Sequence, residues 1–341
     1  MRYIGSKARL LEHIRAAVDQ FAPQSLSLCD MFSGTGVVAS EFKTTHRVLA
    51  NDILYFCFIL SAAQLELRAR PTFTTFVGEF GVEPLEYLNA ISPRLDEANE
   101  EDFAFQHFSP LGAESRQYFT PENALRIDRM RQSLNEWVRT SLLSEAEFRY
   151  LLAALISEVP SVSNTTGTYG AYLKNWDKRS LSPLILRELN VRPGGSRSVA
   201  YNADANDLIK QISGDVLYLD TPYNGRQYSS NYHVLETIAR YDYPELVGVT
   251  GLRRDRWGDS GYCRRSEVYD LYKTLVRNAR FSTLVISYSS EGIMSAEELV
   301  QLVQEFSNRE PVSFQRIPYR RYKRVRGGEK LVEEFLVVGT R

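Results

Sequence analysis

The feature that most constrains this chain is a pair of short apolar runs joined through a glycine turn. Leu26 to Met31 reads as a strand and runs straight into Phe32-Ser-Gly-Thr-Gly-Val-Val-Ala, whose glycines open a helix. Val48-Leu-Ala-Asn-Asp-Ile follows as a second strand that ends in acid. Strand, glycine turn, helix and strand in that order are the opening of an open α/β sheet. The same grammar resumes at 199–204 and 215–220, and Leu284 to Tyr288 is a further buried strand.

Between about 61 and 199 the pattern changes. This stretch is mixed, mostly helical and less regular, with a charged run at 94–102 that reads as solvated surface. Ser144-Glu-Ala-Glu147 is a capping box that predicts a helix through about Ser157, and Ser295-Ala-Glu-Glu298 predicts another. Ser161 to Trp176 is rich in turn formers and reads as a loop. Residues 6–21 carry Leu10, Leu11, Ile14, Val18 and Phe21 on one helical stripe. The last two runs, about 312–324 and 331–338, are joined by Arg326-Gly-Gly-Glu-Lys, a hairpin signal. The expected organisation is an α/β core from 1–60 plus 200–341, with 61–199 inserted into it.

A chain of 341 residues can bury a sizeable core. Lys and Arg number 41 against 42 Asp and Glu, so bulk charge does not announce a polyanion partner, although an average can hide a basic face. Cys29, Cys57 and Cys263 are scattered and suggest neither a disulfide framework nor a metal cluster, so a reducing, cytoplasmic setting is expected. No signal peptide is recognised, and no apolar run approaches the ~20 residues of a membrane span.

Gly34-Thr-Gly36-Val-Val-Ala39 fits a loose nucleotide-binding pattern in which glycine lets the backbone approach a ligand at a helix start. Asp52, at the end of the next strand, can accept both hydroxyls of a ribose or can serve as a turn residue. Together they suggest a ribose-bearing cofactor without saying which. Asp204 ends a third strand and could accept from an adenine amino group, or cap the helix that begins near Asn206. Asp220 ends a fourth and is followed by Thr221, Pro222 and Tyr223. Pro222 pushes Thr221 into an extended conformation, which aims its carbonyl beside the Asp220 carboxylate. Two adjacent acceptors suit an amino group with two N–H donors, and Tyr223 offers a face on which its ring can stack.

These motifs resemble, in order, those of Dam-like adenine-specific DNA methyltransferases. The resemblance runs through Tyr3-Ile-Gly-Ser-Lys7, Asp30-Met-Phe-Ser-Gly-Thr-Gly36, Asn51-Asp-Ile53, Asp204-Ala205, Asp220-Thr-Pro-Tyr223 and Arg226 to Glu236. It implies a Rossmann-like methyltransferase sheet with a C-terminal antiparallel hairpin and a mostly helical inserted target-recognition domain at 61–199. It also implies S-adenosylmethionine as cofactor. By position, Tyr3 and Lys7 match residues lining its methionine end, and Asp30, Phe32, Gly34 and Gly36 match the cofactor loop. Asp52 matches the ribose-binding acid, Ile53 a contact to the cofactor's adenine, and Asp204 and Ala205 residues near that adenine's edge. Asp220, Thr221, Pro222 and Tyr223 match the catalytic motif, with threonine where the family usually has its first proline. The implied partner is double-stranded DNA, with a cognate restriction endonuclease as a further one, acting as monomer or dimer and away from membranes.

A target base inside a duplex must be flipped out at a cost of about a few kcal/mol. Tyr228, Asn231 and Tyr232 could line the loop around it, or belong to an ordinary surface loop. His233 reads as structural rather than as a general base. Phosphate contacts could come from Arg254 and Arg256, in a loop rich in arginine, or from Arg320, Arg321 and Lys323 in the C-terminal hairpin; either could equally be a solvated face. Rival readings are a methyltransferase for RNA adenine, DNA cytosine or a glutamine amide, a nicotinamide-dependent dehydrogenase, and an inactive nucleic-acid-binding module.

Overall fold

The apolar runs fold into strands buried on both faces, as a sheet covered by helices requires. A computed structural model describes residues 7–194, 197–320 and 331–341, with backbone alone at 319, 320 and 331. Its strands are β1 (Ser27–Asp30), β2 (Arg47–Asn51), β3 (Val199–Tyr201), β4 (Gly214–Leu219), β5 (Leu246–Val247), β6 (Leu252–Arg253), β7 (Phe281–Ser289), β8 (Ser313–Arg320) and β9 (Leu331–Thr340). Seven of them form one sheet in the order β3-β2-β1-β4-β7-β9-β8, and β5 pairs with β6 in a separate ribbon.

From β3 to β7 the pairs are parallel, while β9 runs antiparallel to both β7 and β8. This is the mostly parallel α/β sheet with a C-terminal antiparallel pair expected from sequence; the Gly-Gly link at 327–328 lies outside the described residues. The order reverses between β1 and β4, so the cleft outside their carboxyl ends is the switch point where such sheets bind ligands. Leu217, Leu219, Leu284 and Ile286 sit in the core against Tyr272 and Leu299, all fully buried. The predicted capping boxes at Ser144 and Ser295 both form and start helices Glu145–Glu158 and Ala296–Phe306.

The chain forms two compact units. One holds the seven-stranded sheet and comprises the described residues of Ser6–Ile53, Gly194–Tyr228 and Asp259–Arg341. The other is mostly helical and comprises Leu54–Pro193 together with Ser229–Gly258. The sequence reading places 229–258 with the sheet; in the structure it packs with the helices, and a buried carboxylate explains why. Glu236, in helix His233–Arg240, accepts from the Tyr55 and Phe56 backbone N–H groups at 3.0 and 3.1 Å. It thereby satisfies two orphan donors at the start of helix Tyr55–Leu65. Arg131 Nε donates to the Ile238 carbonyl in the last turn of the same helix, at 2.9 Å. Among the described residues no helix is long and apolar enough to cross a membrane.

Candidate active site

The site residues within the sheet unit gather at the carboxyl ends of β1 to β4. Asp30, the last residue of β1, is buried, and its Oδ2 accepts the Ala39 N–H at 3.1 Å. The turn that follows needs glycine twice. Gly34 and Gly36 have φ of 51° and 74°, in the left-handed region that side chains disfavour. Gly36 is the N-cap of helix Val37–Phe42. Asp52 lies just past β2, and its Oδ2 accepts the Gly34 N–H at 2.9 Å, so the second strand's acid holds the first strand's turn.

Two asparagines, Asn51 of the Asn51–Ile53 motif and Asn202 outside every motif, brace this corner. Asn51 donates to the Met31 and Ala203 carbonyls at 3.2 and 3.1 Å. Asn202 donates to the Asp52 and Ile53 carbonyls, both at 2.8 Å. Asp204 is exposed and caps helix Ala205–Leu208, its Oδ1 accepting the Asn206 N–H at 2.8 Å; the neighbouring Ala205 is buried. The cap, one of the two sequence readings of Asp204, is thus occupied. Phe32 meets the buried Tyr262 edge-to-face with centroids 4.9 Å apart. Tyr262 carries no motif and was legible only as a loop aromatic.

Asp220 follows β4 directly, with its side chain 17% exposed. Lys7 Nζ lies 3.1 Å from Asp220 Oδ1 and 3.2 Å from Glu334 Oε2. The same nitrogen sits 5.6 Å from the centroid of the Tyr223 ring. Lys7 therefore joins two members of the Asp220–Tyr223 motif, a contact the sequence reading did not anticipate. Thr221 is buried and its hydroxyl pairs with the Tyr272 hydroxyl at 2.6 Å. That bond anchors the turn where a proline would otherwise stiffen it. The Tyr223 carbonyl accepts the Ile293 N–H at 2.9 Å, which ties the far side of the motif.

The electrostatics follow from burial. Burial pushes the Asp220 carboxyl up to about 6; Lys7 opposes the rise and Glu334 adds to it. Burial pulls the Lys7 ammonium down, but the carboxylates of Asp220 and Glu334 outweigh it and leave Lys7 firmly charged. Asp30 is pushed up to about 8, by burial first and then by the neighbouring charge of Asp220. Among the described residues no group of three or more His, Cys, Asp or Glu could hold a metal ion, and the three cysteines are buried thiols.

A family model for D12 class N6 adenine-specific DNA methyltransferases matches residues 3–302. The chain belongs to this family. The type II methyltransferase M.FokI of Planomicrobium okeanokoites is 46% identical over 325 residues, covering 95% of this chain and 50% of that protein. The modification methylase StsI of Streptococcus sanguinis is 38% identical, covering 95% of this chain and 49% of its own length. The chain thus spans about half the length of these two relatives. The type II methyltransferase M.NlaIII of Neisseria lactamica is 38% identical over 332 residues, covering 95% of this chain and 92% of that protein.

In this D12-class chain the residues read from sequence as DNA-contacting fare differently. Tyr232 is buried and packs on Phe56 with centroids 5.8 Å apart, a core position rather than a base-facing one. The Asn231 carbonyl accepts the Tyr169 N–H at 2.7 Å, and Tyr228 begins helix Tyr228–Asn231. Arg254 is exposed and ion-paired with Glu245, and Arg256 is exposed. Their neighbour Arg253 is buried in a fork with Asp242 and Asp255, at 2.7 and 2.8 Å. Tyr3, Arg321 and Lys323 lie outside the described residues, as does the Arg320 side chain. His233 faces two backbone carbonyls, those of Ser230 and Thr250, at 2.9 and 2.8 Å, which accords with a structural residue. Within the helical unit a cleft of about 320 Å³ is lined by Ser161, Thr165, Tyr169, Arg179, Arg187 and Leu235, among others.

Proposed function

We propose that the chain transfers a methyl group to the exocyclic amino group of adenine in a short duplex DNA motif, after extrusion of the base. The observation that carries this reading is the Asp220–Tyr223 turn at the switch point of the sheet, with Asp220 held by a buried lysine beside the glycine turn. The sequence of the family and the type II names of the relatives support a role in a modification system, with a cognate endonuclease as partner.

The residues present fit S-adenosylmethionine. Gly34 and Gly36 leave the turn without side chains at a helix start, and Asp30 and Asp52 place carboxyl groups beside it. A carboxylate has about four acceptor positions, so Asp52 can hold the Gly34 N–H and still accept from a ribose. Lys7, Phe32, Ile53 and Ala205 complete the proposed cofactor set, as does Asp204 through the carboxylate capacity its cap leaves. When bound, the cofactor supplies an electrophilic methyl group on a cationic sulfur.

The chain's own residues then act on the amine. Its lone pair is delocalised into the adenine ring, which makes it a poor nucleophile. Asp220 and the Thr221 carbonyl accept its two hydrogens and draw the nitrogen toward tetrahedral geometry. The charge that develops on nitrogen is stabilised by the Asp220 carboxylate in a largely water-excluded site, and one N–H proton then leaves to Asp220 or to water, giving the neutral methylated amine. Tyr223 stacks on the extruded base and offsets part of the flipping cost. Residues 61–199, with the 229–258 segment that packs among the same helices, form the target-recognition region.

Modification-sensitive sequencing of DNA from cells expressing the wild type or Asp220→Ala tests the proposal. Methylated adenine in one short motif, present with the wild type alone, is expected. Modified cytosine, or no modification by an intact and folded wild type, would overturn it.

A further inference from the structure

Glu334 lies beyond the residues matched by the family model and carries no motif, yet it is a buried carboxylate at the catalytic turn. The sheet topology puts it there. β4 and β7 run parallel with Leu219 opposite Ile286, and β9 runs back along β7 with Glu334 opposite Ser289. An antiparallel strand enters the sheet at the end where its parallel neighbours finish. Glu334, early in β9, is therefore delivered to the carboxyl end of β4, where Asp220 emerges. Lys7 stands between them with 4% of its side chain exposed, against 9% for Glu334.

Charge accounting gives this arrangement a purpose. Asp220 and Lys7 alone would be a neutral ion pair, a poor partner for an amine that becomes positive as it is methylated. A second carboxylate on the same ammonium leaves the pocket with one net negative charge. We propose that Glu334 is a positioning residue that draws Lys7 between two carboxylates, so that Asp220 is fixed in place while the pocket stays anionic. This rests on the proposed methyl transfer to adenine. The remaining titratable groups around Asp220 are Tyr218 on the same strand, Tyr223, Tyr272 and Asp30. Burial raises the tyrosines Tyr218 and Tyr272 and also Asp30, so none of these three adds charge at neutral pH.

The test is to titrate Asp220 by NMR of protein labelled at the aspartate γ-carbon, with Asp220→Asn identifying its resonance, alongside kcat and KM for duplex DNA against pH. In Glu334→Gln the Asp220 midpoint should fall by about one pH unit as the repulsion is removed, and in Lys7→Met it should rise by about as much or more. The acid limb of kcat should follow each midpoint. At pH 7.5, kcat of Glu334→Gln should drop about tenfold or more, with KM for DNA within about twofold. Glu334→Asp, which keeps the charge, should recover most of the rate; it also provides the comparison if the glutamine variant does not fold. An Asp220 midpoint unmoved by Glu334→Gln, or an unchanged kcat, would overturn the proposal. If the wild type transfers no methyl group to DNA adenine, the proposed function falls, and the NMR midpoints still decide the electrostatic claim.

Discussion

Asp30→Asn should make the protein more stable at neutral and alkaline pH. Asp30 is fully enclosed, with the Ala39 N–H as a direct partner and the charges of Asp220 and Asp52 nearby. Its carboxyl is pushed from 3.8 to about 8, chiefly by burial. The sign follows. Below about pH 4 the group is neutral whether the chain is folded or not. As pH rises from 4 to 8 the unfolded chain sheds this proton while the folded one retains it, so folding is progressively disfavoured over that window. Each pH unit corresponds to about 1.4 kcal/mol, so the full effect is about 5 kcal/mol by pH 8. Asparagine keeps the shape and can still accept from Ala39. Urea unfolding followed by circular dichroism should show the variant's advantage widening by about 3 to 4 kcal/mol between pH 5 and pH 8. Other raised carboxyls, such as Asp128 at about 7, are common to both proteins and cancel in the difference. A gap that stays constant with pH would refute the reasoning, because it would mean that Asp30 is ionised in the fold.

The same carboxyl bears on the cofactor. S-adenosylmethionine is a net cation, so its binding should release a proton below about pH 8 and its Kd should tighten as pH rises from 6 to 8; calorimetry at about pH 7.5 in buffers of different ionisation enthalpy should show that release in the wild type and lose it in Asp30→Asn, and a release unchanged in the variant would mean that Asp30 is uninvolved. Thr221→Val and Tyr272→Phe should each cost about 1 to 2 kcal/mol, and the double variant less than their sum, since both remove one hydroxyl pair. Glu236→Ala should cost about 3 kcal/mol or more in thermal or urea unfolding, because two helix N–H groups and the Arg240 guanidinium lose their buried partner. His233→Ala should lower stability while leaving the shape of the kcat–pH profile unchanged; a lost limb would reassign His233 to the chemistry.

What could be read from the sequence was local. The strand-ending acids, the glycine turn and the serine caps at 144 and 295 are set by residues within a few positions of one another, and they form as expected. The Lys7–Glu334 contact joins residues 327 positions apart and depends on β9 turning back along β7, which no short window reveals. The placement of 229–258 turns on Glu236 meeting the backbone of Tyr55, again at long range. Charge runs also leave their partners unstated. Arg254, read from sequence as a phosphate contact, pairs with Glu245 while staying exposed, and its neighbour Arg253 is held by Asp242 and Asp255.

The division into two interleaved units has a practical corollary. Among the described residues the helical body is built from two separate stretches, and the sheet body from three. A protein engineer who wished to graft a new target preference from a relative could not exchange a single cassette. Residues 54–193 and 229–258 would have to travel together, since the second stretch carries the glutamate that closes the first helix of the other. Chimeras cut only at the outer borders of the longer stretch should come out insoluble.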